Sequence, residues 1–359
     1  MHTKSQGGCK PPRTTWAAIL LGAVAVAPAA PHPHAQAKQT DRPPYRVDGK
    51  VTEPRLFGEG IISTVDDEIG GTFSADGREF YFSRIVPYTT LPRLAIMCVS
   101  TYRDGKWGTP EVLPFSGKYL DNPPRLDPNG QRLLFASSRP LPDGTRGHIR
   151  IWEVARNGSG WGEPQPLPPP VNAPESFWNG DASISSDGTL YFSSDRGGPG
   201  TLHIYRSRFV DGKYSAPEKL GPEINSDFYD FQPFISPDGK VLIFASTGEG
   251  SQPFRHRPGE VSGGGKLYPR ADLYISVNRE GKWTPARHLE HGINSFAEEE
   301  FPFLTPDGKY FFFSSERSPF IVPTAHRLNY DELETDLHSI ANGHGNVFFV
   351  DADTLEVGK

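Results

Sequence analysis

Short apolar stretches rich in aromatic residues alternate along this chain with tight turns. Five segments align without gaps on turns that carry Asp or Asn followed by Gly. They are GTFSADGREFYFS (71–83), PRLDPNGQRLLFAS (124–137), ASISSDGTLYFSS (182–194), PFISPDGKVLIFAS (233–246) and PFLTPDGKYFFFSS (302–315). Each segment predicts a β-hairpin, because Gly supplies the positive φ of the turn and the Asp or Asn side chain bonds its own backbone.

Two further strands follow most of these hairpins. A third strand of alternating apolar residues is predicted at 94–101, 149–155, 202–208 and 273–277, and a short fourth strand ends at Leu113, Leu167, Leu220 or Leu289. Four antiparallel strands repeated at this period are typical of one propeller blade. The sequence therefore predicts an all-β fold, a β-propeller of four-stranded antiparallel blades, with five blades as the main count and six as the alternative.

The two ends of the chain decide between these counts. The fifth hairpin is followed by a third strand at 346–351, and a fourth strand is missing. Near the start, EPRLFGEGIIST (53–64) resembles PEKLGPEINS (217–226), which is a fourth strand with its exit loop. We predict that 54–57 completes the last blade and so removes an open sheet edge. A sixth blade would need residues 318–345, where NYDELETDLHSI favours a helix.

The N-terminal segment has the pattern of a secretory signal peptide. Lys4, Lys10 and Arg13 precede an apolar run at 16–27, and cleavage sites of small residues end at Ala29 and Ala37. We therefore expect a signal peptide at 1–37, an N-terminal linker at 38–52 and a single propeller domain at 53–359. A periplasmic or secreted location follows, without a membrane span after cleavage. The alternative is a membrane anchor, for which the apolar run is short.

Composition and charge narrow the class of protein further. The 38 Gly, 36 Pro and 2 Met residues fit short strands joined by turns. The formal net charge of −6 becomes −9 once 1–37 are removed, which disfavours nucleic acid as a partner. Cys98 then remains alone in an apolar run, as expected of a buried thiol.

The hairpins resemble the repeat of the TolB-like β-propeller family, whose mark is a Ser-Pro-Asp-Gly-Lys turn followed by an aromatic-rich strand ending in Ser. ISPDGKVLIFAS and LTPDGKYFFFSS match this mark closely, and LDPNGQRLLFAS and FSADGREFYFS match it more loosely. The resemblance covers residues 53–356 and implies the fold. It implies little about function, because the motif residues build the turn. The TolB protein itself resembles a six-bladed propeller with an extra N-terminal domain, and from the short segment before the first predicted strand we expect a different role here.

One column of polar residues stands just before the innermost strands, eight residues ahead of each turn residue. Its members are Glu68, Asp121, Asn179, Asp230 and Glu299. We expect the column to form an acidic ring at the channel mouth, with Asp67, Asp181, Glu298 and Glu300 as neighbours. Such a ring suits a Ca²⁺ ion, a basic ligand or a polyhydroxylated ligand. Alternatively, the acids are solvated or pair with arginines that follow the second strands, Arg139, Arg196 and Arg317.

Aromatic residues accompany this column, and Trp178 and Tyr229 are the strongest candidates for contact with a ligand. With them, the candidate ligand-binding set comprises the five column residues and the three arginines. Metal-spaced histidines and known nucleophile motifs are absent from the sequence, so we expect no required cofactor, with Ca²⁺ at the mouth as a possibility.

Two functions fit these features. The first is a non-enzymatic binding or scaffold propeller for a protein or a cell-envelope glycan. The alternative is a carbohydrate-active enzyme, a glycoside hydrolase or lyase, in which Asp121 and Glu299 act as base and acid.

Overall fold

The structure, a computed structural model, describes residues 42–357 apart from 87–93, 199, 249–269 and 320–325. Five sheets follow one another along the chain, and the innermost strands of neighbouring sheets contact each other. This arrangement is a five-bladed β-propeller, as the sequence predicts.

Each blade contributes one strand to each of four successive positions, counted outward from the channel. The innermost strands are Asp67–Phe73, Arg125–Leu126, Asn179–Ile184, Asp230–Ile235 and Glu299–Leu304. The second strands are Glu79–Val86, Arg132–Ser137, Leu190–Ser194, Val241–Ser246 and Tyr310–Ser315. The third strands are Leu94–Arg103, Arg150–Asn157, His203–Ser207, Asp272–Arg279 and Asn346–Asp351. The outer strands are Glu111–Val112, Gln165–Pro166, Glu218–Lys219, Arg287–His288 and, from the N-terminal segment, Arg55–Leu56.

Short additional strands extend the hairpin after the third strand in four blades. They are Lys106–Trp107, Gly160–Trp161, the pair Phe209–Val210 and Lys213–Tyr214, and Lys282–Trp283. A 3-10 helix, Ala352–Leu355, follows the last strand. The helix Tyr330–Leu337 lies in the last long connection, where the sequence favours a helix over a sixth blade.

The last blade is closed by the N-terminal strand, as predicted. Arg55 pairs with Phe349 and Leu56 with Phe348 in an antiparallel ladder. Phe57 continues into the core, where its ring lies 5.1 Å from that of Phe312 and 5.3 Å from that of Phe80. The two ends of the propeller are therefore held by backbone pairing and by one aromatic cluster.

Part of the segment that the sequence assigns to a linker packs on the propeller. Tyr45 and Val51 are buried, and Arg46 donates a 2.8 Å hydrogen bond to the turn residue Asp307. Val51 also exchanges backbone and side-chain hydrogen bonds with Asp351. Residues 42–52 thus add apolar contact to the last blade, which their scattered hydrophobic positions did not indicate.

Candidate functional site

The five residues of the predicted column are buried within their own blades. Their exposed fractions are 0% for four of them and 1% for Asp230. In four blades the serine that ends the second strand donates to the column residue at 2.6–2.8 Å. The pairs are Ser137 with Asp121, Ser194 with Asn179, Ser246 with Asp230, and Ser315 with Glu299.

Arginines complete these hydrogen-bonded clusters. Arg139, Arg196 and Arg317 donate to Asp121, Asn179 and Glu299 at 2.8, 3.0 and 3.3 Å. In the first blade Arg84 lies 2.7 Å from Glu68, and His203 of the third blade lies 3.7 Å from Asp230 of the fourth. Asp121 and Glu299 therefore pair with Arg139 and Arg317, as in the alternative that the sequence offered, whereas Glu68 and Asp230 have other partners.

These contacts occupy the oxygens of the two carboxylates that the sequence considered for catalysis. Asp121 accepts from Ser116, Ser137 and Arg139, and Glu299 accepts from the backbone and hydroxyl of Ser295 as well as from its serine and arginine. Burial raises the pKa of Glu299, and the arginine and serine contacts oppose that rise. None of the five column residues and none of the three arginines lines the cavity at the mouth. A role of these eight residues in ligand binding remains a prediction.

A β-bulge follows the column in four of the five innermost strands. The strand register shifts there, and the bulged residues have positive φ: 62° at Gly70, 52° at Asp181, 52° at Gln232 and 51° at Phe301. Pro123 occupies the matching position in the second blade. Because a bulge changes the direction of a side chain, residues at these positions leave the alternation of the strand. The bulges thus bring side chains to the channel that simple alternation would place elsewhere.

These side chains line a cavity of about 450 Å³ between the innermost strands. Its carboxylates are Asp67, Asp181, Glu298, Glu300 and Glu316, and its aromatic residues are Trp178, Tyr229, Phe231 and Phe301. Of the sequence candidates, Trp178 and Tyr229 line this space, together with the predicted acidic neighbours Asp67, Asp181, Glu298 and Glu300. Among the described lining residues there is no Lys, Arg or His.

Hydrogen bonds between blades fix the polar wall of the cavity. Gln232 Nε2 donates to Glu300 Oε1 at 3.0 Å, and Gln232 Oε1 accepts from the backbone N–H of Phe301 at 2.9 Å. Asn122 Nδ2 donates to Asp181 Oδ1 at 3.1 Å. The side chains of Ser193 and Trp178 also lie beside the Asp181 carboxylate.

Burial and crowding of like charges perturb two of these carboxylates. The pKa of Glu300 is raised well above its ordinary value by burial, and then by the nearby charges of Glu298, Glu316 and Asp181. Burial also raises the pKa of Asp181, while its bonded neighbours and the charge of Arg125 oppose the rise. Raised carboxylate pKa values in a cavity are a common feature of sites that transfer protons or bind ligands.

Arg125 reaches across the channel next to the bulges. It is buried, and it donates to the carbonyls of Gly71 and Pro302 at 3.0 and 2.6 Å. Its guanidinium lies 5.3 Å from the Phe303 ring, and burial lowers its pKa to about 9. Arg125 is not among the sequence candidates. A signal was present, because Arg125 stands where the aligned segments have Thr72, Ser183, Phe234 and Phe303.

Metal and membrane sites find no support in the described part of the chain. Within residues 42–357, outside the gaps given above, no three His, Cys, Asp or Glu side chains are grouped so as to hold a metal ion. No helix in the same residues is long and apolar enough to cross a membrane.

No protein-family model and no curated protein matches the chain. Solved structures with a similar fold include a GH43 endo-arabinanase from Bacillus licheniformis. It is 12% identical, with 82% of this chain and 96% of that protein covered and a TM-score of 0.45. An α-L-arabinofuranosidase from Podospora anserina, solved in complex with cellotriose, is 11% identical, with 87% and 98% covered and a TM-score of 0.44.

A puromycin-hydrolyzing peptidase from Mycobacterium tuberculosis is 14% identical and has a TM-score of 0.36. It covers 78% of this chain, and the chain spans 41% of the peptidase's length. At such identities the likeness concerns the fold alone. The strand order therefore assigns the chain to the five-bladed β-propellers, and membership of the TolB-like family remains a prediction.

Proposed function

We propose that this protein is exported and binds a glycan in the cavity at the mouth of its channel. One observation carries the proposal: a single cavity combines the aromatic residues Trp178 and Tyr229 with the carboxylates of Asp181 and Glu300. Carboxylate oxygens accept hydrogen bonds from sugar hydroxyls, and aromatic faces pack against the C–H faces of a sugar ring.

The size of the cavity favours a glycan over a protein surface as the ligand. Small-molecule sites enclose about 300–1,000 Å³, and the cavity of about 450 Å³ falls in that range. A scaffold role toward a protein partner is the other interpretation, and it requires contacts outside the cavity.

Binding to a panel of soluble glycans, followed by titration calorimetry on the best ligand, tests this proposal. Trp178→Ala is expected to weaken binding at least about tenfold, a loss of about 1.4 kcal/mol. Phe209→Ala is the matched control, because Phe209 is an exposed aromatic residue on a short outer hairpin away from the cavity. Unchanged affinity of the folded Trp178→Ala protein, or failure to bind any glycan, contradicts the proposal.

Cleavage of the glycan is a second candidate function, and the raised pKa of Glu300 favours it. A carboxylic acid with a raised pKa holds its proton to higher pH and can protonate the departing glycosidic oxygen, while an ionised neighbour takes a proton from the attacking water. Glu300 replaces Glu299 as the candidate acid, since Glu299 does not line the cavity. In the test, Glu300→Gln abolishes release of reducing ends and retains binding. Product release by that variant excludes this mechanism.

The proposal of export depends on the N-terminal sequence alone. N-terminal sequencing of protein recovered from the periplasm or medium of the expressing cell is expected to give a start just after Ala29 or Ala37. Recovery of intact Met1 in the cytoplasmic fraction contradicts it.

A further inference from the structure

Aromatic surface continues from the cavity onto the face around its mouth. Two connections carry a pair of consecutive aromatic residues, Phe177-Trp178 and Phe228-Tyr229. The second residue of each pair lines the cavity, whereas the first is exposed, at 60% for Phe177 and 48% for Phe228. Consecutive Cα atoms are only about 3.8 Å apart, so a ligand that contacts Trp178 or Tyr229 lies next to a further aromatic residue outside the cavity.

The connection into the fifth blade has a similar arrangement. Phe296 is 57% exposed and precedes the cavity-lining Glu298 by two residues. The first two blades differ, because Val65 is aliphatic and Tyr119 is half-buried, with the Arg139 guanidinium 5.7 Å from its ring centre. Three successive blades on one side of the mouth thus carry an exposed phenylalanine. We call these residues the rim phenylalanines, Phe177, Phe228 and Phe296.

Hydrogen bonds hold the rim phenylalanines on fixed turns. In the fourth and fifth blades the column residue accepts from both the backbone N–H and the hydroxyl of the serine four residues earlier. The pairs are Ser226 with Asp230, at 2.6 and 3.1 Å, and Ser295 with Glu299, at 3.0 and 2.6 Å. In the third blade Asp195 accepts from the backbone N–H groups of Phe177 and Trp178 at 3.2 and 3.1 Å. A ligand therefore binds to turns that are already ordered, which lowers the entropic cost of binding.

The surroundings of the rim phenylalanines favour a sugar chain over a protein as their partner. Each ring comes from a separate connection, and exposed acidic residues stand close to two of them in the sequence, Glu175 near Phe177 and Asp227 next to Phe228. The centre of a protein interface is a contiguous apolar surface that is depleted of charged residues. Single rings in a polar setting instead match a sugar chain, in which C–H faces alternate with hydroxyl groups.

We infer that the ligand is a glycan chain of several sugars, and that the rim phenylalanines bind the sugars outside the cavity. This inference rests on the proposed glycan binding and names its ligand class, a polysaccharide or a long oligosaccharide. One part of the chain occupies the cavity against Trp178 and Tyr229, and the sugars that follow pack their C–H faces on the exposed rings. Phenylalanine has no polar group, so its contribution comes from the ring face alone.

A comparison of chain lengths tests the inference. The probes are a disaccharide and a hexasaccharide from each of cellulose, xylan, arabinan and chitin, measured by titration calorimetry. Overlapping disaccharide units in a hexasaccharide give an advantage of about fivefold by statistics alone. In a series that binds, we expect the hexasaccharide to bind at least about thirtyfold more tightly, which is about 2 kcal/mol.

The possible failures are distinguishable. An advantage of about fivefold or less in a series that binds overturns the inference and leaves glycan binding intact. If none of these series binds, the inference fails, and the proposed function fails with it only when the wider panel of soluble glycans is negative as well.

Two variants test whether the advantage of the longer chain comes from the rim. A variant in which Phe177, Phe228 and Phe296 are all changed to Ala should fold, since the three side chains are exposed, and its hexasaccharide advantage should fall to the statistical value. Phe209→Ala removes a 45% exposed ring from an outer hairpin and is expected to leave the advantage unchanged. A wild-type advantage in the triple variant overturns the inference and would assign the rim to another contact, such as one with a protein.

Discussion

Gln232 donates a 3.0 Å hydrogen bond from Nε2 to Oε1 of Glu300, and this bond joins the fourth blade to the fifth across the cavity. The orientation of the Gln232 amide is fixed, because its oxygen accepts from the backbone N–H of Phe301 at 2.9 Å. Both residues belong to bulges or flank them. The most perturbed carboxylate of the site is thus held by an amide from the neighbouring blade.

The raised pKa of Glu300 predicts how its removal affects stability at different pH values. Its folded-state pKa lies above the unfolded value, so the folded protein retains the proton longer, and stability falls as pH rises from about the ordinary glutamate value. Glu300→Gln keeps the shape without the charge. We expect its thermal midpoint to exceed that of the wild type near neutral pH and the difference to shrink toward acid pH.

Thermal unfolding followed by circular dichroism from about pH 4 to pH 8 measures the difference. Glu111→Gln is the control, and its midpoint should stay parallel to the wild type. A Glu300→Gln midpoint below that of the wild type near neutral pH would contradict this, because it would show that the charged Glu300 carboxylate stabilises the fold there.

The column arginines predict a contrast between blades. Arg139 faces the buried carboxylate of Asp121, whereas Arg196 faces the neutral amide of Asn179, and both guanidinium groups lie over aromatic rings. Arg139→Met leaves an uncompensated buried charge and is expected to lower the free energy of unfolding by about 3 kcal/mol or more. Arg196→Met loses the stacking and hydrogen bonds to neutral acceptors only, namely Asn179, Ser194 and the carbonyls of Pro170 and Val171, and it is expected to cost less than Arg139→Met because no buried charge is left behind.

Urea unfolding of the two variants measures this contrast. Both variants lose an arginine that stacks on aromatic rings. We therefore expect the difference between their free energies of unfolding to come mainly from the charge of Asp121. Equal losses would contradict a role of the column charge in this contrast. The double variant Asp121→Asn with Arg139→Met should recover most of the loss.

Arg125 predicts a stability effect centred on the channel. Arg125→Met removes the two hydrogen bonds to the carbonyls of Gly71 and Pro302 and leaves these acceptors buried. An unsatisfied buried acceptor costs about 1–3 kcal/mol, so we expect a loss of about 2–4 kcal/mol in urea unfolding. A neutral or stabilising result would mean that the cost of burying the guanidinium outweighs its two bonds.

The pairing of the N-terminal strand with the last blade limits how far the chain can be shortened from its N-terminus. Deleting residues through Phe57 removes the partner of Phe348–Phe349 and opens the edge of the last blade, so we expect loss of cooperative unfolding and aggregation. Deleting residues 1–41 keeps Tyr45, Val51 and the closing strand, and it should leave the thermal midpoint unchanged. A soluble, cooperatively folding protein after the longer deletion contradicts the closure argument. Phe57→Ala in the full chain is expected to cost about 3–5 kcal/mol.

The fold was accessible from the sequence because the repeated turn specifies local structure in the same way five times. In the turn of the fourth blade, for example, Asp238 accepts from the hydroxyl of Ser236 and from the N–H of Lys240 at 2.6 and 3.1 Å. The strand 54–57 was found because its residues repeat those of another fourth strand. The packing of Tyr45 and Val51 was not found, since isolated apolar residues in an irregular segment have no periodicity.

The site was harder to predict, because its position depends on the bulges. Counting back from the turns selected Glu68 and its four equivalents, which stand in or near the first residues of the innermost strands, with Asp121 four residues ahead of its strand. Strict alternation gave no indication that residues one or two positions later would line the cavity. Positive φ at Asp181, Gln232 and Phe301 is not encoded by residue type, as it is at Gly70. Tertiary contacts between blades hold these conformations, and a single sequence does not reveal such contacts.

The bulges also separate two roles of an innermost strand, namely pairing within the blade and lining the channel. The regular pairing of the strands is interrupted at Asp181, Gln232 and Phe301. The clusters around Glu68 and its equivalents are buried and hold the chain where it enters each innermost strand. The bulge position can therefore carry different residues in different blades, as Asp181, Gln232 and Phe301 show, while the cluster around the column is kept. In descendants of such a protein, the ligand could change by single substitutions while the propeller that carries the site is inherited intact.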